Sequence, residues 1–163
     1  MSLSRRAWIV FATVLVLTLG FDQGSKAWAR GTLPAHQAVA VVDGYWDWEL
    51  AYNDGAAFSN VRGKRLLLEL IAAAALVGMA VFAWRSAPEQ RVRRIALGLV
   101  AGGTLGNLVD RLRDGAVVDF VRWRVGDHLW PIFNVADVAL VTGVALLLLE
   151  NVLERRRART IAV

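Results

Sequence analysis

The chain of 163 residues contains no cysteine and only two histidines. Without cysteine there is no disulfide framework, no thiolate nucleophile and no cysteine-ligated metal site. His36 and His128 are far apart in the sequence and lie in polar stretches. This argues against a zinc centre and against a Ser-His triad. The sequence therefore predicts chemistry that uses no metal and no cofactor.

Charge is also scarce, since charged residues make up 20% of the chain and hydrophobic residues 56%. The mean hydropathy is +0.45. A soluble domain has about 45–50% apolar residues and about a quarter charged. The composition argues against a single soluble domain or a disordered or collagen-like chain, and it favours an integral membrane protein.

Four apolar stretches carry this hydropathy, and a bilayer core about 30 Å thick needs about 20 helical residues to span it. The first and third stretches are short, but each continues without proline into a polar patch that can complete the span. Arg5 and Arg6 before the first stretch would also suit a signal peptide, but no small-x-small cleavage site follows Phe21. We predict a single membrane domain over 1–163, with transmembrane helices at about 7–28, 66–84, 95–112 and 135–153.

Orientation follows from the arginines that flank these helices. They cluster at both termini and in the connection between the second and third helices: Arg5, Arg6, Arg85, Arg91, Arg93, Arg94, Arg155, Arg156, Arg157 and Arg159. Both termini are therefore predicted in the cytoplasm, with outer loops at about 29–65 and 113–133. The net charge of +5 reflects this topology and not binding to nucleic acid.

The outer loops contain β-prone runs. Runs 38–42 and 45–50 flank Asp43-Gly44, a dipeptide typical of tight hairpin turns, and 117–125 is a third run. We predict a small β-sheet on the outer face of an α-helical membrane protein. Five of the seven tryptophans also fall on this side: Trp28, Trp46, Trp48, Trp123 and Trp130. They form either an interfacial anchoring belt or a clamp for a lipidic substrate.

Ionisable groups near the helix ends are the candidates for function, because charge is costly in a bilayer. Asp22 and Lys26, four residues apart, are predicted to form an ion pair on one helix face. Glu69 and Glu150 stand alone and are expected to reach the interface. Gly98, Gly102 and Gly106 repeat every four residues and are predicted to form a seam where another helix packs closely. This seam and Asn107 are predicted to face the interior of the helix bundle.

Two facing carboxylates can activate water without a metal, one as a general base and the other protonated. At about 4 Å they repel by about 4 kcal/mol in an effective dielectric of about 20, so the pair keeps one proton near neutral pH. Asp110, Asp119 and Asp137 are the candidates, and spacing alone does not select two of them. The rival interpretation is a channel or proton-coupled carrier, but its relay would distribute acids across the membrane and these lie on one side.

At these residues the sequence resembles bacterial lipoprotein signal peptidase (signal peptidase II). Five motifs occur in the order of that family: Asp22-Gln23-Gly24-Ser25-Lys26, Asn53-Asp54-Gly55-Ala56-Ala57-Phe58, Gly106-Asn107-Leu108-Val109-Asp110-Arg111, Val117-Val118-Asp119-Phe120 and Phe133-Asn134-Val135-Ala136-Asp137. Each motif alone is weak, but five on a four-helix chain of this length are very specific.

The resemblance implies an aspartic endopeptidase of the A8 type, with Asp119 and Asp137 as the catalytic pair. It implies supporting or substrate-binding roles for Asp22, Lys26, Asn53, Gly55, Asn107, Asp110, Arg111, Asn134 and Ala136. It also implies a monomer in the bacterial cytoplasmic (inner) membrane, in contact with membrane lipids and inhibited by globomycin. The implied substrate is a prolipoprotein carrying diacylglyceryl-cysteine, cut on the amino side of that cysteine.

Overall fold

Four helices dominate the computed structural model, which describes residues 3–35, 37–54, 64–87 and 90–161. Their bounds are α1 Leu3–Thr32, α2 Lys64–Arg85, α3 Arg91–Asp114 and α4 Val135–Ile161. Each is long and apolar enough to cross a membrane. The predicted four-helix membrane fold is confirmed. The chain runs from α1 through a sheet to α2, and from α3 back through the sheet to α4. We call the end that carries the sheet the sheet end and the opposite end the terminal end.

The sheet has four antiparallel strands in the order β1-β2-β3-β4: β1 Ala38–Val42, β2 Trp46–Asn53, β3 Val117–Val125 and β4 His128–Leu129. At the predicted hairpin, the Tyr45 amide donates to the Val42 carbonyl over 3.0 Å, and Gly44 has a φ of 81°. Glycine adopts this positive φ without strain. The predicted hairpin and the strand over 117–125 are confirmed. Of the two histidines, His128 lies on β4 and His36 lies outside the described residues.

Helix α3 is the centre of the bundle and packs against α1 along the predicted glycine seam. A Cβ placed on Gly98 would lie 2.9 Å from the Phe11 carbonyl oxygen, and one on Gly102 would lie 2.9 Å from that of Leu15. Backbone atoms cannot move aside at such distances, so these positions require glycine. The seam therefore holds α1 and α3 closer together than residues with side chains would permit.

Helix α2 lies at the edge of the bundle and presents its apolar side chains outward. Leu66, Leu67 and Leu70 are each more than half exposed. In water this surface would be costly, whereas lipid chains solvate it as well as other leucines would. The exposed face of α2 is therefore a lipid-facing surface.

The helices extend beyond their predicted bounds because charged side chains at their ends find partners. Helix α3 begins at Arg91, where Arg94 donates to the Ser86 carbonyl over 2.6 Å. Arg93 forms ion pairs with Glu150 at 3.0 Å and Glu154 at 2.8 Å on α4. Glu150 therefore does not stand alone as predicted, because it joins α3 to α4 at the terminal end.

Aromatic packing attaches the sheet to α1. Trp28 on α1 meets Trp48 on β2 with ring centroids 5.2 Å apart, and both rings contact Phe120 on β3. Trp46 meets Trp48 edge-to-face, with ring centroids 4.8 Å apart. Three of the outer tryptophans thus belong to the packing between sheet and helix, which fixes β3 relative to the bundle.

Candidate active site

Two carboxylates and one ammonium group are fully buried between α1 and α3 at the sheet end. The Lys26 Nζ lies 2.8 Å from Asp22 Oδ2 and 2.8 Å from Asp110 Oδ2, and none of the three side chains is exposed. Lys26 also donates to Asn107 Oδ1 over 2.9 Å. The predicted Asp22–Lys26 ion pair is confirmed as part of a larger cluster, which we call the buried triad: Asp22, Lys26 and Asp110.

Asp119 and Asp137 are brought together by asparagine side chains next to this triad. Asp119 lies on β3 and accepts from Asn134 Nδ2 over 2.6 Å and from Asn53 Nδ2 over 3.0 Å. Asp137, in the first turn of α4, accepts from Asn107 Nδ2 over 3.0 Å and from the Asn134 backbone amide over 3.1 Å. Asn134 therefore contacts both carboxylates, which makes them neighbours in one site.

The two carboxylates differ in environment. Asp119 is 3% exposed, whereas Asp137 is half-buried. Burial raises the pKa of Asp119 to about 6, the hydrogen bonds from Asn53 and Asn134 oppose that rise, and the charge of Asp137 adds to it. The geometry thus provides one buried carboxyl that holds its proton up to about pH 6 beside a more accessible carboxylate.

Asp110 has no free acceptor position for a reacting group. Its Oδ2 accepts from Lys26 and from the Val118 amide at 3.2 Å, and its Oδ1 accepts from Gln23 at 3.3 Å and Arg30 at 3.1 Å. A carboxylate engaged by four donors is held as an anion and is shielded from substrate. This geometry favours a supporting role for Asp110, which sequence spacing could not distinguish from Asp119.

The remaining predicted site residues occupy different places. Arg111 donates to the carbonyl oxygen of Asn107 over 3.3 Å. The Ala136 amide donates to Asp22 Oδ1 over 3.0 Å, and Ala136 is fully buried. Gly55, with the rest of its motif to Phe58, lies outside the described residues.

Two further polar residues at the site were not predicted. Gln23 Nε2 donates to Asp22 at 3.1 Å and to Asp110, which links α1 to α3. Arg30 pairs with Asp110 and, at 2.7 Å, with Asp114. The signal for Arg30 was its spacing, because it continues the i, i+4 series of Asp22 and Lys26 by one more turn.

An apolar cavity adjoins Asp137, and a second apolar groove adjoins that cavity. The cavity of about 280 Å³ is lined by Asp137, by α4 side chains and by three aromatic residues: Trp123, Trp130 and Phe133. The second groove, of about 460 Å³, runs between α1, α3 and α4 and shares Val138 and Thr142 with the first. Only the first contains the half-buried carboxylate.

Comparison with known proteins identifies the family. The profile of the family described as signal peptidase (SPase) II matches residues 14–153. The chain belongs to the signal peptidase II family. The resemblance seen in the five motifs is thereby confirmed for most of the chain.

Relatives in Xanthomonas and Xylella agree with this membership. The lipoprotein signal peptidase of Xanthomonas campestris pv. campestris (strain 8004) is 40% identical over 93% of this chain and 92% of its own length. That of Xanthomonas euvesicatoria pv. vesicatoria is 43% identical over 83% of this chain and 81% of its own. The Xylella fastidiosa protein of the same name is 39% identical over 83% of both chains.

Solved structures support the fold as well. A bacterial membrane enzyme superposes with a TM-score of 0.80 at 29% identity and covers 86% of this chain and 90% of its own. A second bacterial membrane enzyme gives a TM-score of 0.79 at 28% identity. The four helices and the small sheet are therefore an architecture that bacterial membrane enzymes use.

Proposed function

We propose that this chain is a lipoprotein signal peptidase that uses Asp119 and Asp137 to hydrolyse a peptide bond. The observation that carries the proposal is the pair of carboxylates joined by Asn134, one buried and one facing an apolar cavity. Family membership supports the peptidase activity, and the geometry supports the assignment of roles.

In this mechanism Asp137 is the general base and Asp119 the acid. Asp137 is the more accessible carboxylate and lines the cavity, so a water molecule can reach it. It takes a proton from that water, whose oxygen attacks the scissile carbonyl carbon. Asp119 donates its proton to the developing oxyanion, and the pair then supplies a proton to the leaving amine as the C–N bond breaks.

Asparagine groups hold both carboxylates in place. Asn107 and the Asn134 backbone direct N–H groups to Asp137. Asp119 accepts two amide hydrogens as well, but burial and the neighbouring charge still raise its pKa to about 6. Asp119 therefore carries the proton for the acid role below about pH 6.

The substrate that suits the site is a prolipoprotein whose cysteine carries diacylglycerol. The carboxylates lie where helices meet the sheet, at the depth where a signal-peptide helix would end. The grooves of about 280 and 460 Å³ offer apolar surface for lipid chains or for the apolar signal peptide. In this arrangement the cut falls on the amino side of the lipidated cysteine.

We further propose that the sheet faces away from the cytoplasm of the bacterial inner membrane. Arginines cluster at the terminal end, on both termini and between α2 and α3. Cytoplasmic flanks carry this excess of positive charge. The active site then faces the side on which exported precursors emerge.

The test is cleavage by the purified chain in mixed micelles. A precursor peptide with diacylglyceryl-cysteine and its unlipidated counterpart are incubated with the protein, and products are identified by mass spectrometry. We expect cleavage on the amino side of the modified cysteine, with turnover of the unlipidated peptide at least about a hundredfold lower, because misplacement by about 1 Å costs that much. Equal turnover of both peptides would contradict positioning by the lipid, and failure to cleave either would contradict the proposed function.

A further inference from the structure

The three hydrogens of the Lys26 ammonium group all point at groups that lead to the two proposed catalytic carboxylates. Its acceptors are Asp22 Oδ2, Asp110 Oδ2 and Asn107 Oδ1, at 2.8, 2.8 and 2.9 Å. A lysine has three donors and no acceptor, so these three bonds use its whole capacity. The group is fully buried, which excludes water as an alternative partner.

Each carboxylate of the buried triad also holds one backbone amide. Asp22 Oδ1 accepts from the Ala136 amide over 3.0 Å, and Asp110 Oδ2 accepts from the Val118 amide over 3.2 Å. These amides belong to the residues immediately before Asp137 and Asp119. Two connections therefore run from one ammonium group to the backbone next to both carboxylates.

The third hydrogen acts through an amide side chain. Because Lys26 can only donate, Asn107 must turn its oxygen toward it, and Asn107 Nδ2 then faces Asp137 Oδ1 at 3.0 Å. Asn134 Nδ2 also donates to this Asn107 oxygen, over 3.2 Å. Lys26 and Asn134 thus together fix which end of the Asn107 amide meets Asp137.

We propose that Lys26, through Asp22, Asp110 and Asn107, is a positioning residue that sets the separation of the Asp119 and Asp137 carboxylates. The inference rests on the proposed function of that pair. It assigns to the buried triad a geometric role in turnover in addition to its contribution to folding.

The two carboxylates of the triad offer a matched test, since they use their oxygens differently. Asp110 holds both Lys26 and the Val118 amide on the single oxygen Oδ2. Asp110→Asn therefore keeps this connection on its amide oxygen and loses only the acceptor for Gln23 and Arg30.

Asp22 divides the same two tasks between its oxygens. Oδ1 holds the Ala136 amide, and Oδ2 accepts from Lys26 and Gln23. In Asp22→Asn one of these two oxygens becomes an NH₂ group, which faces either the Lys26 ammonium or the Ala136 amide. Since both of these groups can only donate, the connection from Lys26 to α4 breaks. Both variants remove one charge from fully buried positions, and they differ in whether the connection survives.

The experiment measures kcat, KM and melting temperature for both variants with the lipidated precursor in micelles. Lys26→Met is avoided, because it leaves two buried carboxylates unpaired. We expect Asp22→Asn to lower kcat by about a hundredfold or more with KM changed less than threefold, as for a misplacement of about 1 Å. We expect Asp110→Asn to lose less than tenfold in kcat. Arg93→Gln, which breaks the ion pair at the terminal end, is the control and should lower the melting temperature without changing kcat.

A second readout needs no substrate. The pH dependence of stability reports the pKa of Asp119, which faces Asn53, Asn134, Asp137 and the charge of Lys26. Asp110→Asn removes the charge that is bound to the amide next to Asp119. A downward shift of the Asp119 pKa that is larger in Asp22→Asn than in Asp110→Asn would therefore report that Asp137 has moved away.

Two results would overturn the proposal. One is a kcat that follows melting temperature across all three variants, and the other is an equal kcat and an equal Asp119 transition in the two triad variants. Cleavage at the parental rate by Asp119→Asn or Asp137→Asn would instead refute the proposed function. In that case the Asp119 transition still decides the geometric claim.

Discussion

Replacing Asp119 by asparagine should abolish turnover and at the same time stabilise the protein at alkaline pH. Asp119 is 3% exposed, and burial raises its pKa from 3.8 to about 6. A raised carboxyl pKa means that the folded state binds the proton more tightly than the unfolded state does. The stability that the acid form contributes is therefore fully present below pH 3.8 and is lost as the pH rises through about 6.

The size of the effect follows from the shift. A difference of about two pKa units corresponds to about 3 kcal/mol, which is the free energy that wild-type protein loses between about pH 4 and pH 8 through this group. The Asp119→Asn variant has no ionisable group at this position and loses none of this free energy. Its NH₂ group must, however, face one of the amide donors of Asn53 or Asn134, which costs about 1 kcal/mol. The variant should thus be about 2 kcal/mol more stable at pH 8 and about 1 kcal/mol less stable at pH 4.

The assay is the free energy of unfolding in micelles at several pH values, measured alongside cleavage. Asp43→Asn provides the control, because Asp43 is fully exposed on the hairpin turn and meets Arg124 only at 3.8 Å, so its loss should change stability little at any pH. Parallel stability curves for wild type and Asp119→Asn would show that Asp119 contributes no such pH dependence. A variant that is less stable at every pH would refute the reasoning.

Three further predictions concern the same site. In the free enzyme kcat/KM should fall on the alkaline side with a midpoint near pH 6, because Asp119 must carry its proton, and a flat profile between pH 5 and 8 would contradict this. Gly106→Ala should lower turnover by at least about tenfold and should also lower the melting temperature, because the new Cβ would collide with the Asp22 carboxylate. Gly24→Ala is the control, because its Cβ meets nothing within 4 Å, and it should change neither quantity. Equal effects of the two substitutions would contradict this prediction. Trp123→Ala should lower the ratio of turnover of lipidated to unlipidated precursor, because Trp123 lines the cavity beside Asp137. Trp84→Ala, at the exposed terminal end, is the control and should leave this ratio unchanged. An unchanged ratio in Trp123→Ala would exclude Trp123 from lipid positioning.

Local features of the site could be predicted from the sequence. The Asp22–Lys26 ion pair needs only helical spacing, and the hairpin needs only Asp43-Gly44 between two β-prone runs. The glycine seam on α3 also follows from helical spacing, but spacing does not indicate that α1 is the helix that packs against it. In each case the residues that interact are neighbours along the chain or repeat with one helical period.

The identity of the carboxylate pair could not be predicted from spacing, because it depends on contacts between distant elements. Asp110 and Asp119 look alike in the sequence, and they differ because Lys26 and Arg30 of α1 engage one of them. Asp137 and Asp119 meet because Asn134, the residue before α4, hydrogen-bonds to both carboxylates. The resemblance to signal peptidase II pointed to this pair, where residue spacing left three candidates.

The arginines at the helix ends show the same limit. Hydropathy predicted α3 from 95, whereas Arg93 and Arg94 extend it to Arg91 through partners on α4 and in the preceding turn. A charged residue lowers hydropathy whether or not it is paired. Its partner depends on tertiary contacts, so the predicted helix begins too late in the chain.

The central claim is that Asp119 and Asp137 together activate water for peptide hydrolysis. The most direct measurement is single-turnover cleavage of a diacylglyceryl-modified precursor by Asp119→Asn, Asp137→Asn and the control Arg93→Gln, each verified as folded by its melting transition. We expect no cleavage by either aspartate variant and parental cleavage by Arg93→Gln. Cleavage at the parental rate by either folded aspartate variant would contradict it.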